Sequence, residues 1–77
     1  MAHVNTRKLP GNELSREFIF CDHDGINDEK RKLRVYRNQF TKGKFRITDP
    51  NKNILKRDKL VDTAEEAEVM IHDLLLG

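Results

Sequence analysis

The 77-residue chain has no tryptophan, one tyrosine, two prolines and one cysteine. With Cys21 alone no intrachain disulfide can form, which excludes a disulfide-stapled secreted module. No run approaches the ~20 apolar residues of a membrane-spanning helix, and no apolar core follows the N-terminal cations as in a signal peptide. We expect a soluble, cytoplasmic protein. There is no glycine-rich phosphate loop and no acid–base pair in a pocket-forming context, so we expect no enzyme. Four Phe and one Tyr do not form the aromatic signatures of the common RNA modules.

Metal and cofactor chemistry is also poorly supported. Cys21, Asp22, His23 and Asp24, with His72 or His3, do not supply four nitrogen or sulfur ligands at zinc spacing. The segment "DHDGINDE" has Asp at its first and third positions. It has Gly at the fourth and no suitably placed Glu, which makes it a poor calcium loop. Cys21 and His23 cannot work as a nucleophile pair because nothing orients the base. The segment reads as a loop, Cys21 as a small buried apolar residue, and no cofactor is expected.

What the chain does have is charge, sorted along its length. Apolar and charged residues each make up 36%, and the formal net charge is +2. Residues 30–59 carry twelve Lys or Arg against Asp49 and Asp58, a local net of +10. Residues 1–29 carry three cations and six acids, net −3, and residues 60–77 five acids and no Lys or Arg, net −5. The three segments sum to +2. Segregation of this kind suits a polyanionic partner on one side of the fold; an ordinary solvated basic face is the alternative.

Residues 1–15 show no periodicity and contain the Pro10-Gly11 turn signal; we read them as a flexible N-terminal arm before one small domain, 16–77. Glu17–Cys21 reads as a short strand. "KLRVYRNQF" and "KFRIT" alternate, with Leu33, Val35, Phe45 and Ile47 on one face and Lys32, Arg34, Tyr36, Lys44 and Arg46 on the other. A tight connection through Gly43 joins them. "DPNKN" is a turn, and "ILKRDKLV" a third extended stretch. Thr63 and Glu66 form a capping box, Glu65, Glu66 and Glu68 lie near the positive end of the helix, and Ala67, Met70, Ile71 and Leu74 make one apolar stripe. The expectation is an α+β fold: three antiparallel strands (32–39, 44–49, 54–60), with the strand at 17–21 as an edge or as a cover for the core's end, packed on a C-terminal helix, 63–76. Val69 and Leu76, with Leu75 beside them, form a second apolar strip, taken up by the strand at 17–21 or by a weak dimer; otherwise the chain is a monomer.

If the helix covers one sheet face, the other is open. It would present Lys32, Arg34, Tyr36, Lys44 and Arg46, with Lys56, Arg57 and Lys59 there or at its edge. Such a sheet can enter a DNA major groove, where Arg and Lys bond guanine edges or phosphates. Tyr36 and Phe40 could stack on unpaired bases or simply pack. Double-stranded DNA is the expected partner; a small modulator docking on an acidic protein surface is the alternative.

The pieces Gly43-Lys44-Phe45, Ile47, Asp49-Pro50-Asn51 and Asp62-Thr63-Ala64-Glu65-Glu66-Ala67 resemble two related DNA-binding families. These are the ethylene-response-factor domain of plant transcription factors and the arm-type DNA-binding domain of tyrosine recombinases of phages and conjugative transposons. The resemblance covers about Arg31 to Leu76. It implies a three-stranded sheet on a C-terminal helix, reading the major groove with the sheet, in a regulatory or recombination-accessory module of a phage or mobile element. The plant family has two more residues between its Gly-Lys and Asp-Pro. It also carries Trp-Leu-Gly where this chain has Arg57-Asp58-Lys59. Its Glu and Arg contacts would fall on Arg46 and Thr48, so only the face carries over, not the base contacts.

Overall fold

The computed structural model describes residues 2–37 and 44–77, the side chains of 12–14 excepted. Five strands precede one helix: β1 His3–Leu9, β2 Asn12–Cys21, β3 Asn27–Arg37, β4 Phe45–Thr48, β5 Lys59–Val61 and α1 Ala64–Leu76. The strands form one antiparallel sheet in sequence order, so the α+β class holds, with five strands in place of three or four. No helix among the described residues is long and apolar enough to cross a membrane.

The largest departure from expectation is at the N-terminus, where the expected arm is β1 and the first half of β2. The two strands join at Leu9-Pro10-Gly11-Asn12. Proline presets φ at the first central position and Gly11 takes φ +78 at the second, as a type II turn requires. The β2–β3 loop is tied by Asp22. Its carboxylate accepts from the amides of Asp24 and Ile26, both at 2.9 Å, and Gly25 sits at φ +80. β3 begins at Asn27, earlier than expected; expected strand residues 38 and 39, the turn at Gly43 and Phe40 lie outside the described residues.

The expected third strand at 54–60 shrinks to β5, because Asp49 curls the chain before it. The buried Asp49 carboxylate accepts from the amides of Asn51 (2.9 Å), Ile54 (2.6 Å) and Leu55 (3.1 Å). Lys52 takes a positive φ of 54 within this curl. Leu55 therefore enters the core from a loop, with Ile54 packed against it. Burial works to keep this carboxyl protonated, but the converging backbone amides outweigh it and hold Asp49 below the usual carboxylate range.

α1 lies across all five strands. Its buried residues are Ala67, Ile71 and Leu75, an i, i+4, i+8 line; Met70 and Leu74 are half-buried flanks. They meet Phe18, Leu33, Val35, Ile47 and Val61. Thr63 caps the helix by accepting from the Glu66 amide at 3.1 Å. The Glu66 carboxylate reaches one residue further back than a capping box requires, to the Asp62 amide at 3.3 Å.

Candidate nucleic-acid interface

Directly opposed residues of antiparallel strands share a sheet face, so the register says which side chains face away from α1. Arg7, Glu17, Arg34 and Thr48 lie in one row across β1 to β4. Tyr36, Arg46 and Leu60 lie in the next row across β3 to β5, and Asn5, Ile19 and Lys32 in the row on the other side. The expected outward cations Lys32, Arg34 and Arg46 thus stand on the face away from the helix. The rest of the expected cluster divides. Lys59 opposes the core residue Ile47, so it lies on the helix side at the sheet's edge. Lys56 and Arg57 are exposed in the loop before β5.

β1 and β2, absent from the expected site, decide the chemistry of the face. Glu17, only 4% exposed, sits in the middle of the β1–β3 half. It accepts from Arg34 Nε at 2.8 Å and from Arg7 Nη2, and stands 3.9 Å from Lys32 Nζ. Glu29 adds contacts at 3.3 Å to both Arg7 and Lys32. Burial pushes the Glu17 carboxyl up, but the hydrogen bonds from Arg34 and Arg7 outweigh it and hold the group below its ordinary range. The same bonds raise the pKa of both guanidiniums. Further along, Asn5 Nδ2 donates to Asn27 Oδ1 at 2.9 Å, and Ile19 and Cys21, two residues apart on β2, are buried on this side of the sheet. This half of the face is a closed polar network over a few buried side chains. Nothing local in the sequence announces it, since Glu17 meets Arg34 only through strand register.

The β3–β5 half differs. The Arg46 guanidinium lies 5.7 Å from the Tyr36 ring centroid, within cation–π range. Its ion pair to Asp58 is 3.9 Å long with both side chains about half exposed. Lys44 has a 3.7 Å pair to an exposed Asp62. Exposed pairs of this kind contribute about 0–1 kcal/mol and yield readily to a competing anion. The contact between Asp58 and Arg46 also brings the end of the loop that carries Lys56 and Arg57 beside this face.

Among the described residues, no group of three or more His, Cys, Asp or Glu is arranged to hold a metal ion. Cys21 is a buried free thiol. No family model, curated protein or solved structure matches the chain.

Proposed function

We propose that the protein is a small DNA-binding module that engages phosphates with the β3–β5 half of the sheet face, centred on Lys44, Arg46 and Tyr36 and extended by Lys56 and Arg57. The observation that supports this most is the difference in how the cations are held. Those of the β1–β3 half are bound to Glu17 and Glu29, whereas the ion pairs of Lys44 and Arg46 among the described residues are long and exposed. The acids of α1 project from the element packed on the other side of the sheet, where their repulsion of a polyanion is weakest. The regulatory or recombination-accessory role, and the phage or mobile-element setting implied by the resemblance, belong to the same proposal. Lys32, Arg34 and Lys59 are removed from the contact set and remain as structural or edge residues.

With about four phosphates neutralised, the slope of log K against log salt should be about −4. Reversing Arg46 and Arg57 together to Glu should abolish salt-sensitive binding to duplex DNA while thermal unfolding stays unchanged, because neither residue is in the core. Arg34→Glu is the wrong probe: it would set a second carboxylate against buried Glu17. A folded Arg46→Glu, Arg57→Glu protein with an undiminished gel shift sinks the proposal.

A second reading, a modulator docking on an acidic protein surface, draws support from Leu60. This residue is 57% exposed and opposes Arg46 on the same face, and an apolar residue among cations suits a protein partner as well as a groove. Titration with random duplex DNA at low and high salt separates the two: a protein binder shows little salt-sensitive DNA affinity.

A further inference from the structure

A second surface lies on the other side of the sheet. β5 is the last strand, so one of its edges has no neighbouring strand among the described residues. Beside it runs a groove of about 580 Å³ lined by Val61 of β5 and by Glu65, Glu66, Val69, Met70, Asp73 and Leu74 of α1. Its floor is aliphatic and thioether. Val69, at the groove's outer lip, is 63% exposed. The charged residues that line it among those described, Glu65, Glu66 and Asp73, are acidic, and Lys59, on the same side of β5, is not among them.

We propose that this groove docks an extended peptide of another protein, added as a sixth strand along β5, in which every second residue, the set facing α1, is either apolar or basic. An extended strand beside an open edge gains main-chain hydrogen bonds there, and its alternate side chains point to one face of the sheet. On the helix side those side chains enter the apolar groove over Val61, Val69, Met70 and Leu74. Lys or Arg at the peptide's groove mouth meets Glu65, Glu66 and Asp73. An acidic peptide is repelled by the same three carboxylates, so the rim sets specificity while the edge and the apolar floor supply affinity. The groove stands apart from the proposed DNA-contacting face, so the two proposals stand or fall separately.

The test is a titration of the full chain, followed by backbone amide NMR, with a short blocked peptide that carries valine and lysine on one strand face and threonine on the other, and with its counterpart in which glutamate replaces lysine. A single added strand is expected to bind with Kd of about 0.1–1 mM. The lysine peptide should shift the amides of Lys59–Val61 and of Glu65–Leu74, and the glutamate peptide should not. Val69→Lys, on an exposed position that leaves the core intact, should weaken the lysine peptide by at least about tenfold. Glu65→Lys combined with Asp73→Lys should reverse the order of the two peptides. Equal binding of both peptides, shifts confined to the Tyr36–Arg46 face, or no shifts at all would overturn the proposal. So would shifts of the same amides with protein concentration alone, accompanied by sedimentation as a dimer, because the occupant would then be a second copy of this chain.

Discussion

Arg34 and Arg46 sit on neighbouring strands, both pointing away from the helix, yet their circumstances are opposite. Arg34 is bonded at 2.8 Å to a carboxylate that is itself nearly inaccessible. Arg46 faces an aromatic ring and a distant, exposed Asp58. The first arrangement holds β1, β2 and β3 together; the second leaves a cation free to change partner. Counting positive residues on a face does not distinguish them. What distinguishes them is whether a buried anion lies within hydrogen-bonding distance, because desolvation makes the release of such a pair costly while solvent makes the exposed pair nearly neutral.

Acid should give the largest effect on this contrast, since it discharges both buried carboxylates. Glu17 and Asp49 are held below their ordinary values of 4.5 and 3.8. A depressed pKa means that the unfolded chain binds the proton more readily, so stability is fully present above the ordinary values and is lost as pH falls through them toward the folded ones. Denaturant midpoints should be flat from neutral pH to about 5 and fall steeply by about pH 3. A midpoint independent of pH over that range would show that neither network contributes to stability.

Asp49→Ala comes next. It removes the acceptor of three backbone amides and should cost about 2–4 kcal/mol by chemical denaturation. It should also loosen the loop bearing Lys56 and Arg57, so DNA affinity should drop with stability. A variant as stable as the parent would mean that Leu55 alone holds the loop.

Glu17→Gln and Arg46→Ala form the sharpest pair. Glu17→Gln should cost about 1–3 kcal/mol through weakened charge-assisted hydrogen bonds, yet raise DNA affinity, since one negative charge leaves the face. Arg46→Ala should change stability by no more than about 0.5 kcal/mol and lower DNA affinity. If both variants moved stability equally, the two halves of the face would not differ in the way their geometry indicates.

Much of this was readable in the chain. The alternation of Leu33 with Val35 and of Phe45 with Ile47 assigned the two faces of β3 and β4. Thr63 and the following acids placed the start of α1. The centre of its stripe came out slightly displaced: Leu75 is core, while Met70 and Leu74 are flanks. β1 is not legible from periodicity because its apolar residues, Val4 and Leu9, stand five apart and so fall on opposite faces, although Pro10-Gly11 between two β-prone runs is a hairpin signal. The segment 54–58 was misread because adjacent apolar residues looked extended, when Asp49 had gathered the amides ahead of them. Of the site, the outward positions of Lys32, Arg34, Tyr36 and Arg46 were legible. Their division into held and loosely held cations was not.

The division follows from range. Caps, turns and side-chain periodicity act over four or five positions, so residue order along the chain suffices to place α1, the β3 and β4 faces and the Pro10-Gly11 turn. Glu17 meets Arg34 across seventeen positions and Arg7 across ten, and no local rule sets those pairings. They exist because the antiparallel register aligns the three strands once the apolar face has packed on the helix. Which cations are held and which are loosely paired was therefore settled by folding, through the burial of one carboxylate among them.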